Sequence, residues 1–105
     1  MDKIEFIIAR HMELEFPASA GSEDLSPLDE WIGDLAEYDG GIVGRIHSKT
    51  LSPQHLVELK NFGAALEEIL PKSDEIETIA YCKRYVASLI ECATEALASF
   101  SRKIR

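Results

Sequence analysis

The sequence predicts an all-α fold: one helical domain over residues 1–105, a compact bundle of about four helices. Three observations point there. Apolar residues recur at three- and four-residue steps in several separate segments. Serine–proline pairs and lone prolines punctuate those segments where helices start and stop. Strand-like alternation is absent. The length suits one domain, and 46% hydrophobic residues suffice for a small core.

The first helix is expected from Asp2 to about Phe16. Ile4, Ile7, Ile8, His11 and Leu14 share one face, and Pro17 stops it. Residues 17–25 are polar and small, a loop composition. Ser26 and Pro27 then open a second helix, with Asp29 and Glu30 at its positive end.

Three glycines complicate that helix, in the run Tyr38–Thr50, "YDGGIVGRIHSKT". A phosphate-binding loop needs lysine directly after glycine. Here Lys49 follows Ser48, one residue early when counted from Gly44, and a helical pattern precedes the run where a strand belongs. The dinucleotide spacing fails as well. Leu28, Trp31, Ile32, Leu35, Ile42, Val43 and Ile46 instead keep one face if the helix passes through the glycines, continuous or kinked there. Gly33, Ala36, Gly40, Gly44 and His47 form a second, small-residue face that allows close backbone approach. The competing arrangement ends the helix at Gly40 as a C-cap.

Ser52 and Pro53 open a third helix, which runs to about Leu70. Leu56, Leu59, Phe62, Gly63, Leu66 and Leu70 line its buried side, and Pro71 ends it. Ser73 or Asp74 begins the last helix, with Glu77 as capping-box partner. Its stripe is the longest: Ile76, Ile79, Cys82, Val86, Leu89, Ile90, Ala93, Leu97 and Phe100. Arg102, Lys103 and Arg105 suit its negative end.

Chemistry-bearing residues are scattered. Cys82 and Cys92 lie ten apart on one helix, about 15 Å along its axis and too far for a disulfide. Cys82 reads as a buried thiol. His11, His47 and His55 show no ligand spacing, so no metal or other cofactor is expected. His11 and Asp39 both fall among apolar positions. Each needs a partner there, and a core hydrogen bond or ion pair is the expected role. No catalytic constellation follows from spacing, although such groups converge only in space. The chain is expected not to be an enzyme. Asp39 and the histidines are all that favour a small helical enzyme.

Charge is uneven. The formal net charge is −8. Residues 1–40 carry eleven acidic residues against Lys3 and Arg10, and the remainder is nearly neutral. The acidic half repels nucleic acid and favours steering toward a basic partner. No apolar run reaches membrane-span length, and the charged N-terminus lacks a signal-peptide layout, so a cytoplasmic location without membrane contact is expected.

The segment "WIGDLAEYDGGIVGRI", through Trp31, Tyr38, Asp39, Gly40 and Gly44, resembles small helical bacterial immunity proteins of toxin and contact-dependent growth inhibition systems. The resemblance covers about a sixth of the chain. It implies a protein that binds a cognate toxin domain, often a basic nuclease, and blocks its active site. The surface expected to bind comprises Glu13, Glu15, Glu23, Asp24, Asp29, Glu30, Asp34 and Glu37, with Tyr38 at its edge. Trp31 is a second aromatic that could anchor a partner, but its stripe position favours the core. The alternative is a homo-oligomeric helical scaffold or regulatory subunit, packed through the last helix or the glycine face.

Overall fold

The computed structural model describes residues 3–17, 27–69 and 76–103. Five helical segments make up most of them, and no strand occurs among the described residues: α1 (Lys3–Met12), α2 (Pro27–Ser48), α3 (Pro53–Ala64), α4 (Leu66–Ile69) and α5 (Ile76–Lys103). None of these helices is long and apolar enough to cross a membrane. The all-α bundle is therefore as expected.

Helix α5 is the axis on which α1, α2 and α3 pack. Helix α1 runs antiparallel to it. Lys3 pairs with Glu95, the Cys92 thiol meets the Ile7 carbonyl at 3.7 Å, His11 meets Ser88, and the Tyr81 hydroxyl donates to the Glu15 carbonyl. Two apolar clusters result. One gathers Ile7, Ile8, Ile42, Ile46, Leu59 and Leu89; the other gathers Leu28, Trp31, Leu35, Leu66, Ile79 and Val86. Phe62 and Ile90 border both. Phe62 stacks on Trp31 at 4.5 Å and on Tyr38 at 4.3 Å, and the Trp31 indole N–H donates to its carbonyl at 2.9 Å. That hydrogen bond satisfies the one polar atom of a buried tryptophan.

Helix α2 passes without interruption through Gly40, Gly41 and Gly44, so Gly40 is not a C-cap. The cap lies at Lys49, whose φ of 61° places it in the left-handed region. The Lys49 amide donates to the Ile46 carbonyl and the Thr50 amide to the Arg45 carbonyl, which is the Schellman pattern. The start of α3 has Ser52 in extended conformation at the N-cap and Pro53 at the first turn. His55 takes the place of the usual glutamate, accepting the Ser52 amide on Nδ1 at 3.0 Å.

Several boundaries differ from expectation. Helix α1 ends at Met12 rather than Phe16. The residue before a proline is driven out of the helical region, and residues 13–17 gain more by lying across α5. Phe16 meets Tyr85 edge-on at 5.6 Å and Pro17 is buried, while Leu14 is 39% exposed instead of joining the core stripe. The third helix is broken at Ala65, whose amide is shared between the Asn61 and Phe62 carbonyls, a tightened turn. Leu66, the first residue of α4, is wholly buried in the second cluster. Ile76 is 65% exposed, so the buried stripe of α5 starts at Ile79. The expected starts at Ser26 and at Ser73 or Asp74, the stop at Leu70–Pro71, most of the 17–25 loop and the side chains of Arg102, Lys103 and Arg105 lie outside the described residues.

The small-residue face of α2 does not pack inside the fold. A Cβ added at Gly33, Gly40 or Gly44 would meet nothing within 4 Å. Close approach occurs at Gly63 instead, where an added Cβ would lie 2.9 Å from Cγ1 of Val86 on α5.

Candidate functional site

The most connected polar group in the molecule centres on His11. Helix α1 carries it on the same face as Ile7 and Ile8, so the packing that buries them removes the imidazole from solvent completely. Two neighbours compensate the ring nitrogens. Nε2 lies 2.6 Å from Asp39 Oδ1 on α2, and Nδ1 lies 2.9 Å from Ser88 Oγ on α5. The ring also packs on Tyr85 at 4.7 Å between centroids. Asp39 also acts on the Tyr85 hydroxyl through its charge. Burial, then the charge of Asp39, hold the Tyr85 phenol well above its usual range, so it keeps its proton.

Proton placement follows from the acceptors. A carboxylate can only accept, so Nε2 carries the hydrogen that faces Asp39. On a neutral ring Nδ1 then accepts the Ser88 hydroxyl; on a protonated ring it donates to it. Asp39, His11 and Ser88 thus form the hydrogen-bonded series of an acyl-transfer triad, with two departures from that template. The nitrogens are exchanged, with the carboxylate on Nε2 and the serine on Nδ1. Ser88 also sits in the interior of α5, where backbone amides are committed to helix bonds and cannot form an oxyanion hole. What the cluster does supply is one polar link joining α1, α2 and α5.

Beside it, between α1 and α5, lies a groove of about 390 Å³. Ile7, Arg10 and Leu14 line it from α1 and the turn that follows, and Tyr81, Arg84 and Ser88 line it from α5. Cys92 is buried next to this region. Burial and the charges of Glu91 and Asp39 push its thiol up to about 11. Cys82 is buried too, as expected.

The acidic residues named from the sequence are placed differently from one another. Glu30, Asp34 and Glu37 are exposed on one side of α2. Glu13 and Glu15 are exposed in the segment after α1, and Asp29 is half-buried. Glu23 and Asp24 lie outside the described residues. Tyr38 is half-buried against Phe62, and with Glu37 it borders a second groove shared with Arg45, His55 and Glu58. Trp31, 4% exposed, belongs to the core and is not a surface anchor. Among the described residues no group of His, Cys, Asp and Glu is arranged to hold a metal ion.

His11 and Asp39 each stood out in the sequence as polar residues on apolar faces. Ser88 and Tyr85 did not, because a serine or tyrosine on a helix is ordinary, and 77 residues separate Ser88 from His11. Compared with protein-family models, curated proteins and solved structures, the chain shows no significant match.

Proposed function

We propose that this chain is a partner-binding protein that neutralises a basic protein domain, most simply a toxin nuclease in the cytoplasm, by covering it with an acidic surface. The observation that supports this reading is the outer side of α2. Glu30, Asp34 and Glu37 are exposed there, and none of them forms an ion pair with a described residue. Gly33, Gly40 and Gly44 add an unobstructed strip alongside, along which a partner's backbone could come close. Uncompensated charge of one sign on a rigid helix speeds encounter with an opposite charge. The resemblance of residues 31–46 to immunity proteins agrees with this role. The test is co-expression with the product of the adjacent upstream gene, followed by pull-down and a growth-protection assay. A complex and protection are expected; neither one, with any neighbouring toxin candidate, would remove the proposal.

A further inference from the structure

The partner reading makes no use of the groove between α1 and α5. Most described cations pair with no carboxylate, so what sets two of them apart is their place in this groove. Lys3 and Lys83 are paired with Glu95 and Glu67. Arg10 and Arg84 pair with no carboxylate among the described residues, and both line this groove. Each guanidinium is held against an aromatic ring: Arg10 lies 5.9 Å from the Phe6 centroid and Arg84 lies 5.7 Å from the Tyr81 centroid. Stacking restricts the side chain while leaving the fork of N–H donors free. The remaining walls are apolar at Ile7 and Leu14, and a volume of about 390 Å³ is in the range of small-molecule pockets. At its wall Ser88 Oγ is fixed by the buried His11–Asp39 pair, so this polar atom is presented in one position.

We propose that this groove binds a small amphipathic anion, a carboxylate or phosphate monoester carrying one aromatic-sized apolar group, with Arg84 on the charged head and Ile7 and Leu14 on the body. Glu91 also lines the groove. It lies seven residues beyond Arg84, about 10 Å along α5, so its charge directs the anionic head toward the Arg84 end. A guanidinium suits both heads because its parallel N–H groups match two oxygens of either.

The experiment is a ¹⁵N–¹H titration of the full chain with phenyl phosphate, with phenylacetate, and with benzyl alcohol as the uncharged control. Saturable shifts confined to α1 and α5 are expected with one or both anions and not with benzyl alcohol; the stronger anion identifies the head. Arg84→Gln should weaken that binding by about tenfold while the spectrum stays folded. Glu91→Gln should tighten it. The absence of saturable shifts with both anions would overturn the proposal. So would equal response to benzyl alcohol, or affinities unchanged in both variants. If Arg84→Gln disturbs the fold, Arg84→Lys and Glu91→Gln decide between the same outcomes.

Discussion

At the scale of single residues, the His11 cluster shows how a buried polar group is tolerated. An imidazole without solvent exposure keeps both nitrogens satisfied, one by a carboxylate and one by a hydroxyl. Removing one partner leaves the other stranded. Asp39→Ala should therefore destabilise the fold by about 2–3 kcal/mol in urea unfolding. His11→Leu with Asp39→Leu should cost less than the two single changes together, because no orphan remains. Additive losses would mean that the two side chains do not depend on each other. The sequence disclosed the need but not the solution: two polar residues on apolar stripes announce that partners exist, while only the antiparallel pairing of α1 with α5 delivers Ser88. Cys92 makes a second prediction. Its thiol, pushed up to about 11 by burial, Glu91 and Asp39, keeps its proton in the folded chain after the unfolded chain, with its ordinary value of 9.0, has released it. Its contribution is thus complete below pH 9 and is lost as pH rises from there through 11. Unfolding between pH 8 and 11 should show stability falling with pH, and Cys92→Ala should flatten part of that slope.

At the scale of elements, the hydrophobic period predicted α2 well because its phase survives the glycines, and phase is what packing reads. The end of α2 was harder to see. The residue in the left-handed position is Lys49, not the glycine that such caps favour, so no local signal marked it. The break in the third helix at Ala65 was equally hidden, since alanine carries no stop signal. The glycines themselves divide by what surrounds them. Gly40→Ala and Gly44→Ala enter open space inside a helix and should each stabilise by about 0.8–1 kcal/mol. Lys49→Gly should stabilise by about 1 kcal/mol by relieving the left-handed backbone. Gly63→Ala should do worse than either α2 glycine, by about 1–3 kcal/mol, because its Cβ meets the stiff, buried Val86. Thermal melts of the four variants under one condition check the ordering. Equal shifts at Gly40 and Gly63 would mean that α3 does not approach α5 closely there.

At the scale of the whole molecule, the core and the proposed recognition surface occupy different faces. The core is organised around α5, and Leu89, wholly buried at its centre, should cost about 2–5 kcal/mol when replaced by alanine. The outer side of α2 contributes almost nothing to that core. Glu30, Asp34 and Glu37 are exposed and unpaired with any described residue, so reversing all three to lysine should leave the melting temperature nearly unchanged, since exposed charges contribute little. Their effect should appear in encounter. The charge of this half acts over distances set by salt, and the screening length falls from about 10 Å at 0.1 M to about 3 Å at 1 M. Association with a basic partner should therefore slow steeply across that range for the native chain. For the triple reversal it should be slow at low salt and nearly insensitive to added salt. Stopped-flow or surface-capture rates at several salt concentrations separate these outcomes. If the triple reversal associates as fast as the native chain, the docking face is not the acidic side of α2. A contact at the basic positions Arg45, Lys49 and Lys83 would then require an acidic patch on the partner; Arg45 and Lys49 are exposed and Lys83 is already engaged by Glu67.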